Sequence, residues 1–270
     1  MTTIKTERIL ADPAIAIDHA GAGELLVLMH GIGGNRTNWT EQVEVFSEHF
    51  HTVSWDARGY GDSDDYEGPL DFGDFARDLN ALLDHFGVDK AHLCGLSMGG
   101  RIAQDFYLQF PERVKTLTLV ATFAGFRNFS SEERQRFIDL RKKPLVEEGK
   151  EPRDIAPVVA KTLIGPSASE DKYLRLVQSM EKLHKESYIK TIEASTFYDK
   201  ALELETVTVP TCLVFGEHDS LTTPDTGRAM AERIAGSAFH VVPRSGHLIN
   251  IEEPEIFNQI ALDFLLRRNG

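Results

Sequence analysis

An α/β fold, with a mostly parallel sheet covered by helices on both faces, is what this sequence of 270 residues predicts. Three observations carry the prediction. Short β-rich runs alternate with stretches of helical periodicity, the order that builds parallel sheets. Two runs, LLVLM at 25–29 and LTLVATF at 117–123, are apolar without alternation, as strands buried on both faces are. The alternation also stops once, at 124, and resumes only at Pro210.

Strands are expected at 4–9, 13–18, 24–29, 50–55, 91–95, 114–121, 211–215 and 238–242. Between 71 and 86, Phe72, Phe75, Leu79, Leu82 and Phe86 step by three or four and form one apolar stripe of a helix. Near the C-terminus Ile256, Phe257, Ile260, Phe264 and Leu265 do the same. Asn38-Trp-Thr-Glu41 reads as a capping box that opens a helix, with Glu41 at its third position. From 124 to 206 the strand signal fades. Helix-like stretches such as SEERQRFIDLRKK and ASEDKYLRLVQSMEKLHKES are punctuated by Pro144, Pro152, Pro157 and Pro166. A compact sheet domain does not carry so long a structureless loop. The segment is therefore expected to be a helical insertion, the core being 1–123 and 207–270.

Hydrophobic residues at 41% and charged residues at 26% describe a chain that buries a sizeable core. The net charge of −13 disfavours general binding to phosphate backbones. The longest purely apolar run, Leu25 to Met29, is far short of the ~20 residues a membrane span needs. With no basic-then-apolar leader pattern and only Cys94 and Cys212, a disulfide scaffold is not expected and a cytoplasmic protein is. Residues 131–190 hold 13 basic and 11 acidic side chains, +2, against −15 elsewhere. An ordinary solvated helical surface carries such an excess; the sharper alternative is a mildly basic lid on an acidic core. Oligomeric state is not legible.

The chemistry is concentrated in AHLCGLSMGG at 91–100. A β-rich run enters Gly95-Leu-Ser97-Met-Gly99, and a helix with Ile102, Phe106 and Phe110 leaves it. A strand-to-helix turn this sharp places the central serine at positive φ and exposes its hydroxyl at a helix N-terminus. Serine is a weak nucleophile and needs a base that a third group orients. His247 in VVPRSGHLINIEEPE and Asp219 in TCLVFGEHDSLTTP each follow a strand, so both project from the sheet edge where open α/β sheets place ligands. The order Ser97, Asp219, His247 suits an elbow nucleophile. Glu217 and Asp225 are rival acids, but Glu217 lies earlier in the turn and Asp225 is placed to cap the next helix; His218 and His240 read as turn and strand residues. A tetrahedral oxyanion needs two backbone N–H donors. Met98, after the nucleophile, and Ile32, in HGIGGNRTNW, are the candidates. Starting at Gly31, a Gly-x-Gly-x-x-Gly fingerprint ends on Arg36 and fails. With no phosphate loop and no HExxH pair, neither cofactor nor metal is expected.

In these motifs the chain resembles the α/β-hydrolase superfamily over nearly its whole length. The matching residues are HG at 30–31, DARGYGDS at 56–63, GLSMGG at 95–100, GEHD at 216–219, SGH at 245–247 and the ending GHLINIEEPEIFNQIALDFL. The resemblance implies an eight-stranded, mostly parallel sheet with a helical cap inserted after the sixth strand. It carries the catalytic roles onto Ser97, Asp219 and His247 and the oxyanion roles onto Ile32 and Met98. By the same resemblance Asp56 and Arg58 structure a loop. Dehalogenases and epoxide hydrolases of the superfamily carry Asp on the elbow, unlike Ser97. Its carbon–carbon bond hydrolases usually carry a longer glycine-proline oxyanion loop and a Trp near the histidine, where this chain has Ile-Gly-Gly-Asn and His247-Leu-Ile. GLSMGG is similar to the elbows of enol-lactonases, small carboxylesterases and cofactor-free perhydrolases. The expected substrate is thus a small carboxylic ester or lactone, with a ligand-sensing protein as the non-enzymatic alternative. Phe123 and Phe126, and beyond them Phe129, Phe137, Leu163 and Tyr173, are candidates to line its pocket, and the basic cap would suit a carboxylate-bearing substrate.

Overall fold

The computed structural model describes residues 3–10, 12–127 and 129–267. Eight strands among them form one sheet: β1 (Lys5–Ile9), β2 (Ile15–Ala20), β3 (Leu25–Met29), β4 (His51–Trp55), β5 (Ala91–Leu96), β6 (Val114–Val120), β7 (Thr211–Gly216) and β8 (Ala238–Val242). Their order is β1-β2-β4-β3-β5-β6-β7-β8. Only the pairings made by β2 are antiparallel; the six strands from β4 to β8 run parallel. All eight expected strands are present.

Every residue of β3, β5 and β7 is buried, as the unalternating apolar runs require of strands covered on both faces. The covering helices are α1 (Thr40–Phe46), α2 (Asp74–His85) and α3 (Met98–Gln109), then α8 (Pro224–Arg233), α9 (Ile249–Glu252) and α10 (Pro254–Leu266). The stripe predicted over 71–86 becomes α2, whose Phe75, Leu79 and Leu82 are buried. The remaining helices, α4 (Ser131–Val146), α5 (Pro152–Leu163), α6 (Glu170–Glu181) and α7 (Lys185–Phe197), all lie between β6 and β7, where the alternation breaks. Among the described residues no helix is long and apolar enough to cross a membrane.

Two local expectations are corrected. Asn38 is not a helix N-cap. Asn35 caps a short 3₁₀ turn over Arg36–Trp39, and Asn38 supplies the reciprocal side chain of that box. The α-helix then begins at Thr40, which makes Glu41 its second residue. Asp225 likewise lies inside the first turn of α8, whose cap is Thr223. In both places a nearer polar side chain reached the orphan amides first. Cys94 and Cys212 sit on β5 and β7 with Thr118 of β6 paired between them, so they remain free thiols. The sequon at Asn128 lies outside the described residues.

Candidate active site

Ser97 joins β5 to α3 with φ 53° and ψ −111°, the positive-φ conformation the motif predicts. The glycines around it are needed for closeness. A Cβ on Gly95 would overlap the Gly99 carbonyl, and one on Gly99 would overlap the Met29 carbonyl of the neighbouring strand. Gly100 packs in the same way on Thr122, whose hydroxyl donates to the Ser97 carbonyl at 2.7 Å. The strained residue is thus held by backbone on two sides.

His247 and Asp219 follow β8 and β7, and the fold brings them together. Nδ1 of His247 lies 2.7 Å from Oδ2 of Asp219, and both residues are 4% exposed. Thr222 completes the arrangement and was not legible in the sequence. Its hydroxyl donates to Asp219 Oδ2 at 2.7 Å, and its amide donates to Oδ1 at 3.0 Å beside that of Leu221 at 2.8 Å. Burial alone would raise the Asp219 pKa, but the hydrogen bonds and charge of His247 and the Thr222 donors outweigh it and hold the carboxyl below its ordinary value. An ionised Asp219 takes the Nδ1 proton as its partner, which leaves Nε2 of His247 as the basic nitrogen.

A second unforeseen residue is Glu252 on α9. Its buried carboxylate accepts the amides of Gly246 and Leu248, on either side of His247, at 2.9 and 3.0 Å. It also accepts Gly165 N at 2.7 Å, just past α5, while His247 N donates to the Leu163 carbonyl at 2.8 Å. The histidine loop is therefore clamped to both the sheet side and the insertion. The adjacent Glu253 looks the same in sequence, so composition offered no signal.

The loop after β3 is held by His30, which is fully buried. Its Nε2 accepts Ala57 N at 3.1 Å and its Nδ1 donates to the Gly31 carbonyl at 2.8 Å; burial lowers its pKa and keeps the ring neutral. Gly31 O accepts Gly34 N at 3.0 Å, closing a tight turn that carries Ile32. Among the described residues no backbone acceptor takes the Ile32 amide, and Met98 N, at the first position of α3, has no intrahelical partner. The remaining expectations sort cleanly. Asp56 accepts the amides of Arg36 and Asp62, and Arg58 forms a paired bond to Asp78 at 2.6 and 2.7 Å, so both build loops. Glu217 accepts Arg244 N at 2.9 Å, away from the histidine.

Ser97 and His247 open on one cavity of about 160 Å³. A larger lobe of about 490 Å³ shares Ile32, Ser97, Arg141 and Leu221 with it and is lined in addition by Met98, Phe123 and Phe126. Phe129 and Phe137 also line the larger lobe and Leu163 the smaller. Tyr173 does not line either. Its hydroxyl donates to Pro157 O at 3.2 Å, where the ring spans α5 and α6. Among the described residues no group of three or more His, Cys, Asp or Glu side chains is placed to hold a metal ion.

Comparison with known proteins adds a family and a set of relatives. Residues 24–254 match the family model of the alpha/beta hydrolase fold. The chain is 28% identical over 261 residues to 3-oxoadipate enol-lactonase 2 of Acinetobacter baylyi, covering 94% of each. It is 31% identical over 258 residues to a 2-hydroxy-6-oxononadienedioate/2-hydroxy-6-oxononatrienedioate hydrolase of Paraburkholderia phymatum, covering 91% of this chain and 88% of that one. Among solved structures, a thermophilic esterase from Thermogutta terrifontis superposes with a TM-score of 0.88 at 26% identity, over 98% of this chain and 100% of that one. The sheet order, the positive-φ serine elbow and a family match that spans most of the sequence lead to one conclusion: the chain belongs to the α/β-hydrolase family.

Proposed function

We propose that this protein is a serine hydrolase that cleaves a small carboxylic ester or lactone through an acyl-enzyme on Ser97. The observation that carries the reading is the shared cavity: a strained, half-buried Ser97 faces the same space as a histidine already bonded to a buried carboxylate. In this reading Ser97 Oγ attacks the carbonyl carbon as its proton passes to His247 Nε2. Asp219 holds the tautomer and stabilises the imidazolium. The amides of Ile32 and Met98 take the oxyanion, each contributing roughly 10²–10³ in rate by analogy with other donors. His247 then protonates the leaving alkoxide, and water attacks the acyl-enzyme by the same relay in reverse.

Residues 124–206 act, on this proposal, as a lid over the larger lobe, with Phe123 and Phe126 among its apolar walls. The names of the enol-lactonase and esterase relatives support the ester or lactone assignment. Cytoplasmic location is consistent with two buried free thiols.

A second reading has a specific observation behind it. A 2-hydroxy-6-oxo-dienedioate contains no ester, so its hydrolysis must break a carbon–carbon bond, and relatives of that name reach 31% identity. Relatives of both names match the chain to a similar degree, so overall identity does not choose between the two reactions. A panel of nitrophenyl esters, lactones and vinylogous diketones, run on wild type and Ser97→Ala, separates the readings. Multiple turnover of esters or lactones that disappears in Ser97→Ala supports the proposal. Turnover of the diketones alone replaces it with the carbon–carbon reading. A single turnover followed by a stable acyl-enzyme points to a ligand sensor.

A further inference from the structure

The two lobes of the cavity contain no Asp or Glu among their lining residues, although the chain as a whole carries −13. Their charged lining residues, apart from His247, are three arginines. Among the described residues Arg101 has no carboxylate within ion-pair distance, but of the two lobes it lines only the larger. It donates to the Ser195 carbonyl at 2.7 Å, is wedged against the rings of Phe72, Phe123 and Phe126, and has the charge of Asp105 to offset its own. Arg233 forms a paired bond to Glu205 at 2.7 and 3.0 Å.

Arg141 differs. It lies on α4 and lines both lobes, as Ser97 does. Among the described residues it has no carboxylate within ion-pair distance; its bond is to the Phe137 carbonyl one turn back, at 3.1 Å, with the guanidinium over the Phe137 ring. Tyr188, a buried phenol that also lines the smaller lobe, is the titratable group whose charge acts on Arg141. Burial lowers the Arg141 pKa, and with no carboxylate beside it the cation stays poorly compensated. Burial raises the Tyr188 pKa, so its hydroxyl stays protonated and able to donate.

We propose that Arg141, assisted by the Tyr188 hydroxyl, binds a carboxylate on the substrate and so restricts the enzyme to anionic esters or lactones. The proposal rests on the serine-hydrolase reading and names the substrate class of that site. A half-buried guanidinium with no carboxylate beside it is poorly compensated, and a carboxylate from the ligand supplies the missing charge together with a matched pair of acceptors. The recognition group and Ser97 line the same small lobe, so the carboxylate and the scissile carbonyl belong to one compact molecule.

The test uses two esters of similar length, the 4-nitrophenyl monoester of glutaric acid, which carries a free carboxylate, and neutral 4-nitrophenyl pentanoate. Wild type is expected to favour the anionic ester in kcat/KM by tenfold or more. In Arg141→Gln that preference should fall by roughly ten- to a hundredfold, chiefly through KM, with Arg141→Lys intermediate. Arg136→Gln, an exposed change on the same helix, should leave the preference as it is. A wild type that prefers the neutral ester, or an Arg141→Gln protein with its preference intact, overturns the proposal. Calorimetric titration of glutarate into the Ser97→Ala protein, with and without Arg141→Gln, reads the site without turnover. Arg141-dependent glutarate binding without ester hydrolysis would sink the hydrolase reading alone. Ester hydrolysis without Arg141-dependent binding would sink the carboxylate site alone.

Discussion

The elbow at Ser97 and the inserted helix α4 face the same cavity but are specified in different ways. At the elbow the constraint is backbone against backbone. Gly95, Gly99 and the Met29 carbonyl approach so closely that no side chain fits between them. On α4 nothing of the kind operates. Its outer face leaves Leu140 67% exposed, and only a few of its side chains turn inward. The geometry of the elbow is thus set where the chain has no freedom, and the α4 wall of the cavity where it has a great deal.

The sharpest attack on that contrast is Ser97→Ala. It should lower turnover by roughly 10⁴-fold or more while leaving the melting temperature near wild type, because the strained residue, not its hydroxyl, is what the fold holds. A variant that keeps a sizeable fraction of activity removes Ser97 from the chemistry. Gly99→Ala attacks the backbone side. Its Cβ would overlap a β-strand carbonyl, and a loss of about 3 kcal/mol or more is expected in denaturant unfolding. A loss below 1 kcal/mol would mean that the elbow can relax, and the argument for enforced closeness would go with it.

Thr222→Val keeps the shape of the site and removes one hydroxyl from the Asp219–His247 pair. About a tenfold fall in kcat is the expected result, since bonds to charged groups contribute about 1.5–3 kcal/mol. Asp219 offers a smaller and pH-dependent effect. Its native pKa lies below the ordinary value of 3.8, so the charged form adds stability above that pH and the gain is lost as the pH falls through the lowered native pKa. The stability gap between wild type and Asp219→Asn should therefore be full at pH 7 and close in strong acid. A gap that does not change with pH would point to packing instead of charge. Least of all should change in Leu140→Gln, within about 0.5 kcal/mol, because that side chain faces water.

The strands, the break at 124 and the triad candidates could be read from the chain because each leaves a local mark. Strands buried on both faces are apolar without alternation, and the elbow needs glycine at fixed offsets. Misplaced caps show the limit of that reading. Asn38 has the right residue type for a cap, but Asn35 stands three residues earlier and takes the role. Tyr173 has the periodicity of a pocket residue yet spans two helices of the insertion. Thr222 and Glu252 were missed for a related reason. Their importance lies in partners that the fold brings in, His247 lying 25 residues beyond Thr222 and Gly165 87 residues before Glu252.

What the sequence determined by itself was the sheet, the place where the strand–helix alternation breaks, and a serine, an acid and a histidine that follow β5, β7 and β8. Those follow from constraints that act along the chain. Which cation meets the substrate was decided only in three dimensions. Arg134, Arg136, Arg141, Lys142 and Lys143 crowd one helix and are equivalent as letters. Folding turns Lys142 to Glu193 and Lys143 toward Glu147, and leaves Arg141 against the cavity without an acid. A charge acquires its role from what surrounds it, and on a surface helix those surroundings come from distant parts of the chain.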